Sequence, residues 1–331
     1  MAMNMRTQKL IVIVGPTASG KTSLAVELAR KFNGEIVSAD SRQVYRGMDI
    51  GTGKDLKDYR KGSGVRFQVL GTVRHHLIDV VSPSTNFTLA QYQKRAYRAI
   101  KDILKRGKVP ILVGGTGLYV QAVVDGYVLP HAPPDPQLRA GLAKLSVSKL
   151  CAQLKKLDPI TYRVIDKNNR RRLERAIEIC LGTGIPLSKQ RAKQAPPYKV
   201  LMLGLSPARQ VLDRRIDARL KERLQQGMIE EVARLHKQGI SWKRLESFGL
   251  EYRYISRYLR SRPQEKRAHF VDRQKVREIE NEIGYDEIVR ELSGAIKDFS
   301  RRQMTWFKRD ARIVWMKKKR ETVRLVKEFL Y

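Results

Sequence analysis

The sequence predicts an α/β protein: a parallel sheet flanked by helices, with a helical insertion domain. Short apolar runs rich in branched residues, 9–14, 35–39 and 109–113, alternate with helical periodicities. That alternation is the pattern of a parallel sheet covered by helices. A glycine loop follows the first run and leads straight into a helical pattern. Finally, a stretch of about 131–197, bounded by prolines, is helical in period and dense in Lys and Arg. The predicted division is 1–130 as the first part of the core, 131–197 as the insertion, and 198–331 as a return strand with C-terminal helices.

Leu10-Ile11-Val12-Ile13-Val14 forms the first strand, and Gly15-Pro16-Thr17-Ala18-Ser19-Gly20-Lys21-Thr22 follows it. The loop fills every specified position of G-x-x-x-x-G-K-[ST] in a strand–loop–helix context, which makes the sheet P-loop NTPase-like. Glycines let the backbone curl so that successive N–H groups point at phosphate oxygens. The positive end of the helix at 21–32 adds to that field. Lys21 supplies a point charge and Thr22 a hydroxyl for Mg²⁺. Gly15, Thr17, Ala18, Ser19, Gly20, Lys21 and Thr22 are therefore the expected diphosphate site, with Thr22 the metal ligand. The loop alone fits ATP as well as any other di- or triphosphate.

The strand at 35–39 ends in Asp40. Residues 41–88, rich in Gly and polar side chains, are expected to fold over the active site. Leu89, Tyr92, Ala96, Ile100, Ile103 and Leu104 make one apolar stripe on a helix at 88–106. The strand at 109–113 runs into Gly114-Gly115-Thr116-Gly117, where many NTPases place an Asp for Mg²⁺. Pro130, Pro133, Pro134 and Pro136 mark the first break and Pro196-Pro197 the second. Val200–Leu205 then reads as a buried strand. Ser206-Pro207 reads as the start of a helix reaching about Gln226, with Ser as N-cap and Pro in the first turn. Leu212, Ile216, Leu220 and Leu224 line one stripe of it, beside Arg215, Arg219 and Arg223. The tail, 286–330, reads as helical and cationic.

Lys and Arg number 67 against 33 Asp and Glu, a net charge of +34. Such a field captures polyanions, and a small phosphorylated metabolite does not need it. Nucleic acid is the expected partner. The run Arg170-Arg171-Arg172 is expected to grip phosphates, although it also reads as a solvated face. No stretch approaches the length of a transmembrane helix, and the N-terminal apolar run is too short for a signal-peptide core. Two isolated cysteines, Cys151 and Cys180, suit a reducing compartment and read as packing residues. A cytoplasmic protein with no membrane partner is expected.

The segment Asp40-Ser41-Arg42-Gln43-Val44-Tyr45-Arg46-Gly47-Met48-Asp49-Ile50-Gly51-Thr52-Gly53-Lys54 closely resembles the tRNA dimethylallyltransferases, or tRNA isopentenyltransferases. The glycine loop, His75-His76-Leu77-Ile78-Asp79 and Gly114-Gly115-Thr116-Gly117-Leu118-Tyr119 resemble the same family. So do Arg172-Leu173-Glu174-Arg175-Ala176 and Arg302-Gln303-Met304-Thr305-Trp306-Phe307. The matches keep family order from residue 10 to about 308. The resemblance implies transfer of a dimethylallyl group from dimethylallyl diphosphate to the exocyclic amine of the adenosine at tRNA position 37, with diphosphate released. It implies tRNA and dimethylallyl diphosphate as partners and Mg²⁺ as cofactor; a monomer is expected.

The residues suit that chemistry. An allylic carbon bears positive charge well, so stabilising the departing anion is the main demand. An adenine amine is a weak nucleophile, and a strand-end carboxylate beside the loop suits its proton. The resemblance implies Asp40 as that base, Thr17 near the bridging oxygen and Arg219 on the diphosphate. Asp40, Ser41 and Gln43, with Arg170, Arg171, Arg172 and Arg175, are the expected tRNA contacts. Asp40 also admits a Mg²⁺ or capping role, and Arg219 that of a solvated neighbour of Arg215. Asp49, Thr52 and Lys54 admit a purely structural role, and a structural role is expected for His75 and His76. The chain departs from the family pattern at Asp55, Asn169 and Gly249-Leu250-Glu251-Tyr252-Arg253. It lacks a C-terminal Cys/His zinc module, as in the bacterial form. Alternatives are an adenylate dimethylallyltransferase acting on free nucleotides, a small-molecule kinase with a helical lid, and a nucleic-acid binder switched by nucleotide.

Overall fold

Leu10–Val14 are wholly buried, which suits a strand at the centre of a sheet. In the computed structural model, the described residues are 8–54, 59–61, 67–70, 73–130, 132–190, 192–193, 198–261, 284–316 and 319–331. They divide into two compact units, one of Met1–Val120 with Pro197–Tyr331, the other of Gln121–Pro196. The second unit therefore begins at Gln121, ahead of the expected boundary at 131. The expected break at Pro196-Pro197 and the departure at Asp55 lie outside the described residues.

The first unit begins with β1 (Gln8–Val14), α1 (Lys21–Lys31), β2 (Gly34–Ser38), β3 (Tyr59–Lys61), β4 (Phe67–Leu70), β5 (Val73–His76), α2 (Leu89–Lys105) and β6 (Val109–Gly114), and the chain passes to the second unit within α3 (Gly117–Val124). In the second unit come β7 (Tyr127–Val128), α4 (Pro136–Ala143), α5 (Val147–Leu157), α6 (Pro159–Val164), α7 (Arg170–Thr183), α8 (Leu187–Gln190) and β8 (Ala192–Lys193). The first unit resumes with β9 (Tyr198–Leu205), α9 (Arg209–Gln225), α10 (Met228–Lys237), α11 (Trp242–Ser247), α12 (Leu250–Arg260), α13 (Tyr285–Phe307), β10 (Ile313–Met316) and α14 (Lys319–Leu330).

The sheet order is β10-β9-β1-β6-β2-β5-β4-β3. Strands β10 through β5 run parallel, and β4 and β3 extend the sheet antiparallel. Val14 pairs with Gly114 and with Gly204, so the ends of three strands lie side by side where the glycine loop starts. In doubly wound sheets, ligands bind at such carboxyl ends. Leu24, Ala25, Leu28 and Ala29 of α1 share one core with Ile11, Ile13, Ile36, Ile111 and Val326. Thr88 and Gln91 close a capping box at the start of α2, and the Tyr92 hydroxyl donates to the Ser38 carbonyl at 3.1 Å.

Three expectations need correction. The helix expected at Ser206-Pro207 starts at Arg209, with Ala208 as N-cap and no side-chain cap. The tail is not wholly helical: Ile313–Met316 adds an edge strand beside β9. Residues 41–88 do not all fold over the site, because Val73–His76 pairs with β2 inside the sheet. That strand's polar sequence hides it. The buried Glu35 on β2 accounts for one of its histidines. Glu35 accepts from His76 Nε2 at 2.8 Å and Arg106 Nη2 at 2.7 Å, with Lys108 Nζ at 3.1 Å. Burial alone would raise the Glu35 pKa; these partners hold it well below the carboxylate range. Burial, then the neighbouring His76, lowers His75 to about 4. His76 thus braces the buried Glu35, and His75 is neutral at pH 7.

The second unit encloses its own core of Leu142, Leu150, Leu154, Leu173, Ile177 and Cys180, with Cys151 packed against it. Its helices start where capping residues stand. Asp135 caps α4 ahead of Pro136, Ser146 caps α5, and Asp158 caps α6. Asn169 caps α7 by accepting from Arg172 N at 3.2 Å. The departure at Asn169 thereby keeps a role that Asn and Asp fill about equally.

Candidate active site

Where the central strands end, the first unit holds a cavity of about 570 Å³. Its wall is the glycine loop from Thr17 to Ser23, the ends of β2 and β6, and residues of α9, α12 and α13. Gly15 opens the loop at φ 150°, and a Cβ there would sit 2.6 Å from the Leu205 carbonyl oxygen. Only glycine lets β1 and β9 end this close together. Gly20, at φ 89°, precedes α1, and no side chain caps that helix. The first amides of α1 are left for an anion. Lys21 Nζ donates to the Pro16 carbonyl at 2.5 Å, across the loop. Burial lowers its pKa to about 8, against the pull of Asp40 and with a smaller push from Arg219.

Asp40 lines the cavity. Its Oδ1 accepts from Arg42 N at 2.8 Å and from Gln43 N at 3.3 Å. Asp40 thus closes the turn that follows it, where no helix starts, while lining the cavity beside the phosphate loop. Gln43 is held by the Ser38 hydroxyl at 3.2 Å and by the Thr52 carbonyl at 3.4 Å. Ser41 N donates to Thr116 Oγ1 at 3.1 Å, which ties the segment after Asp40 to the turn after β6. Thr17, Ala18, Ser19, Gly20, Lys21, Thr22, Asp40, Gln43 and Arg219 all reach the one cavity. Gly15 shapes it from behind, and Ser41 stands next to it in sequence.

Arg215 and Arg223 join Arg219 there, as their four-residue spacing on α9 requires. Glu251 holds Arg42 at 2.9 Å and Arg223 at 3.4 Å. A Cβ on Gly53 would collide with the Arg223 and Arg219 guanidinium groups. Lys54 is structural: its buried ammonium donates to the Tyr45 carbonyl at 2.5 Å, to Asp49 at 3.1 Å and to Asp79. The Thr52 hydroxyl closes the same loop on the Met48 carbonyl at 2.5 Å.

Sequence reasoning missed three residues. Glu231 on α10, fully buried, accepts from the amides of Asp49, Ile50 and Gly51 and from the Tyr252 hydroxyl, all within 3.0 Å. It shapes the loop that brings Thr52 and Gly53 to the cavity, and nothing local in its sequence signals that. Glu251 lay in the segment that departs from the family pattern. Gln303 lay in a matched motif; it accepts from Thr17 N and donates to the Gly115 carbonyl, both at 2.8 Å.

The basic residues expected to contact tRNA divide into two kinds. Arg170 donates to the carbonyls of Leu142, Ala143 and Leu145 at 2.7–2.8 Å and pairs with Glu174. It closes the C-terminal end of α4. Arg175 pairs with Glu178 and donates to the Ala132 carbonyl. Both guanidinium groups are engaged inside the second unit while staying partly exposed. Arg171 and Arg172 are exposed, and their side chains have no partner among the described residues.

Residues 43–310 match the family model described as IPP transferase. The chain is 44% identical over 313 residues to tRNA dimethylallyltransferase 1 of Syntrophus aciditrophicus, covering 93% of each. Among solved structures it is similar to the full-length tRNA isopentenylpyrophosphate transferase of Bacillus halodurans, at TM-score 0.63 and 32% identity, covering 98% of this chain and 95% of that one. The enzyme of the same description from Staphylococcus epidermidis aligns at TM-score 0.59 and 31% identity, covering 98% of each. With the phosphate loop, Asp40 and Arg219 brought to one cavity, and with matches that span nearly the whole chain, the protein belongs to the IPP transferase family, that of the tRNA dimethylallyltransferases.

Proposed function

We propose that the chain transfers a dimethylallyl group from dimethylallyl diphosphate to the exocyclic amine of the adenosine at tRNA position 37, releasing diphosphate. The observation that carries this reading is a carboxylate, Asp40, on the wall of the cavity that the phosphate loop and Arg219 also line. The loop amides and the start of α1 hold the diphosphate, with Lys21 and Arg219 facing its charge. The allylic C–O bond breaks and its electron pair leaves with the diphosphate. The amine nitrogen bonds to the allylic carbon, and its proton passes to Asp40. Thr17, at the start of the loop, stands where the bridging oxygen departs.

Among the described residues no cluster of three or more acids, histidines or cysteines is placed to hold a metal. That suits Mg²⁺, which keeps most of its waters and takes substrate oxygens with one or two protein ligands. Thr22 on the cavity wall is the residue that would hold it. When bound, the ion neutralises charge on the leaving diphosphate.

The reaction needs the base out of its stack and in the cavity. Ser41 and Gln43 flank Asp40 for that contact, while Arg171 and Arg172 supply phosphate contacts from the second unit. No helix among the described residues is long and apolar enough to cross a membrane. Log affinity for tRNA should fall linearly with log salt. Replacing Arg171 and Arg172 together with Ala should flatten that slope by up to about two units, one per phosphate contact. A slope left unchanged would move the tRNA contact elsewhere, most simply to the cationic tail from Arg301 onward.

The lowered pKa of Lys21 yields a further expectation. The ammonium is charged below about pH 8 and loses its proton above it. A bound diphosphate favours the charged form, so affinity for an alkyl diphosphate should fall by about tenfold per unit as pH rises above 8. Lys21→Arg keeps its charge and should flatten the profile. Isothermal titration between pH 7.5 and 9.5 measures both. The reaction itself is tested by incubating the chain with unmodified tRNA and labelled dimethylallyl diphosphate, with AMP and ATP as rival acceptors. Label in tRNA is expected; label in AMP or ATP alone would favour a free-nucleotide enzyme.

A further inference from the structure

Two matched segments are left without a role by the diphosphate chemistry: Gly114-Gly115-Thr116-Gly117 after β6, and Arg302–Phe307 at the end of α13. In the structure they interlock. Gln303, only 8% exposed, inserts its amide between the phosphate loop and the turn. Its Oε1 accepts from Thr17 N at 2.8 Å, and its Nε2 donates to the Gly115 carbonyl at 2.8 Å. One amide thus meets a donor on one side and an acceptor on the other, which fixes its orientation. A Cβ on Gly115 would collide with Gln303 Nε2, and a Cβ on Gly117 with the Trp306 ring. Both glycines are the space that the end of α13 fills.

The same turn reaches Asp40. Thr116 N donates to the Ala39 carbonyl at 3.2 Å, and Thr116 Oγ1 accepts from Ser41 N at 3.1 Å. The residues on either side of Asp40 are therefore bonded to the residue after Gly115. The start of the phosphate loop and the strand end carrying the carboxylate meet through one side chain and one turn. The amide of Thr17 is committed to Gln303 and that of Ser19 to the Pro16 carbonyl at 3.4 Å, so the anion falls to the amides at the start of α1, behind Gly20.

We propose that Gln303 is a positioning residue for the transfer step, setting Thr17 and, through the Gly115–Thr116 turn, Asp40 relative to one another. This rests on the transfer reaction proposed above. Loss of the bridge should act on the rate of the bound complex more than on donor binding, because Lys21, Gly20 and the start of α1 do not depend on it. A misplacement of about 1 Å at a reacting group is enough to slow a reaction about 100-fold.

The test is single-turnover transfer at saturating donor and tRNA, with donor-analogue affinity and Tm measured in parallel. Gln303→Ala is expected to slow transfer about 10- to 100-fold and to change donor affinity less than about threefold. Gln303→Met, similar in size but unable to make either hydrogen bond, replaces it if the alanine variant fails to fold, and the same loss is expected. Gly115→Ala should displace the amide and reproduce the defect. Because the two residues act through one contact, Gly115→Ala with Gln303→Ala should be no slower than the slower single variant. Multiplicative losses, or transfer within threefold of wild type in the folded Gln303 variants, would overturn the proposal. The wild-type arm keeps the two claims apart: no transfer by the wild-type chain defeats the proposed reaction, whereas normal transfer by the variants defeats only the role of Gln303.

Discussion

Asp40→Asn is expected to slow single-turnover prenyl transfer by about 10²–10⁴, the usual contribution of a positioned general base, and to leave tRNA affinity near normal. The structure makes this variant a clean one. Asp40 Oδ1 accepts from the amides of Arg42 and Gln43. An asparagine oxygen accepts the same two bonds, so the turn that carries Ser41 and Gln43 keeps its shape. What disappears is the ability to take the amine proton. A loss of transfer together with tRNA affinity would mean that the turn, and not the base, had been damaged. A loss of less than threefold would remove Asp40 from the chemistry.

Arg219→Ala and Lys21→Ala should each slow transfer by about 10²-fold or more, the scale set by deleting one group that stabilises a departing anion. They should also weaken binding of a non-hydrolysable donor analogue. The reasons differ in detail. Lys21 bridges the loop to the Pro16 carbonyl, so its removal takes away a charge and a brace. Arg219 lines the cavity from α9, on another element, so its removal takes away a charge without cutting the brace from Lys21 to the Pro16 carbonyl. Rapid-quench kinetics and titration with the analogue separate the two effects. If Arg219→Ala changes neither quantity, the diphosphate is held without it, and Arg215 or Arg223 on the same helix becomes the candidate.

The parts of the fold legible in the sequence are those where local pattern and tertiary role coincide. β1, β2, β6 and β9 are short apolar runs because the strands are buried on both faces. The phosphate loop is legible because its glycines are demanded by backbone geometry that no other residue adopts cheaply. Val73–His76 and Ile313–Met316 were among the strands not legible, each for its own reason. Val73–His76 owes its burial to an ionic cluster around Glu35, drawn from distant sequence, and so lacks an apolar signature. Ile313–Met316 is an edge strand of four residues in a cationic tail, with Val314 exposed.

At the site, the sequence shows which residues carry charge and nucleophile-facing chemistry, because loop motif and strand end place them. It does not show the residues that hold those groups in position. Glu231, Glu251 and Gln303 lie on three different helices, and each meets its partner about 180 to 290 positions away, as Gln303 does at Thr17, or within a network that only the packed helices create. Nor does charge density show that Arg170 closes α4 and that Arg175 pairs with Glu178 inside the second unit.

The central claim, that the acceptor is the exocyclic amine of the adenosine at tRNA position 37, is tested most directly with two otherwise identical tRNA transcripts. One carries adenosine at that position and the other inosine, whose ring has an oxygen in place of the amine. Each is incubated with the chain, Mg²⁺ and labelled dimethylallyl diphosphate, then digested to nucleosides. Label is expected in a single modified adenosine from the first transcript and in nothing from the second. Equal labelling of both transcripts would contradict the assignment.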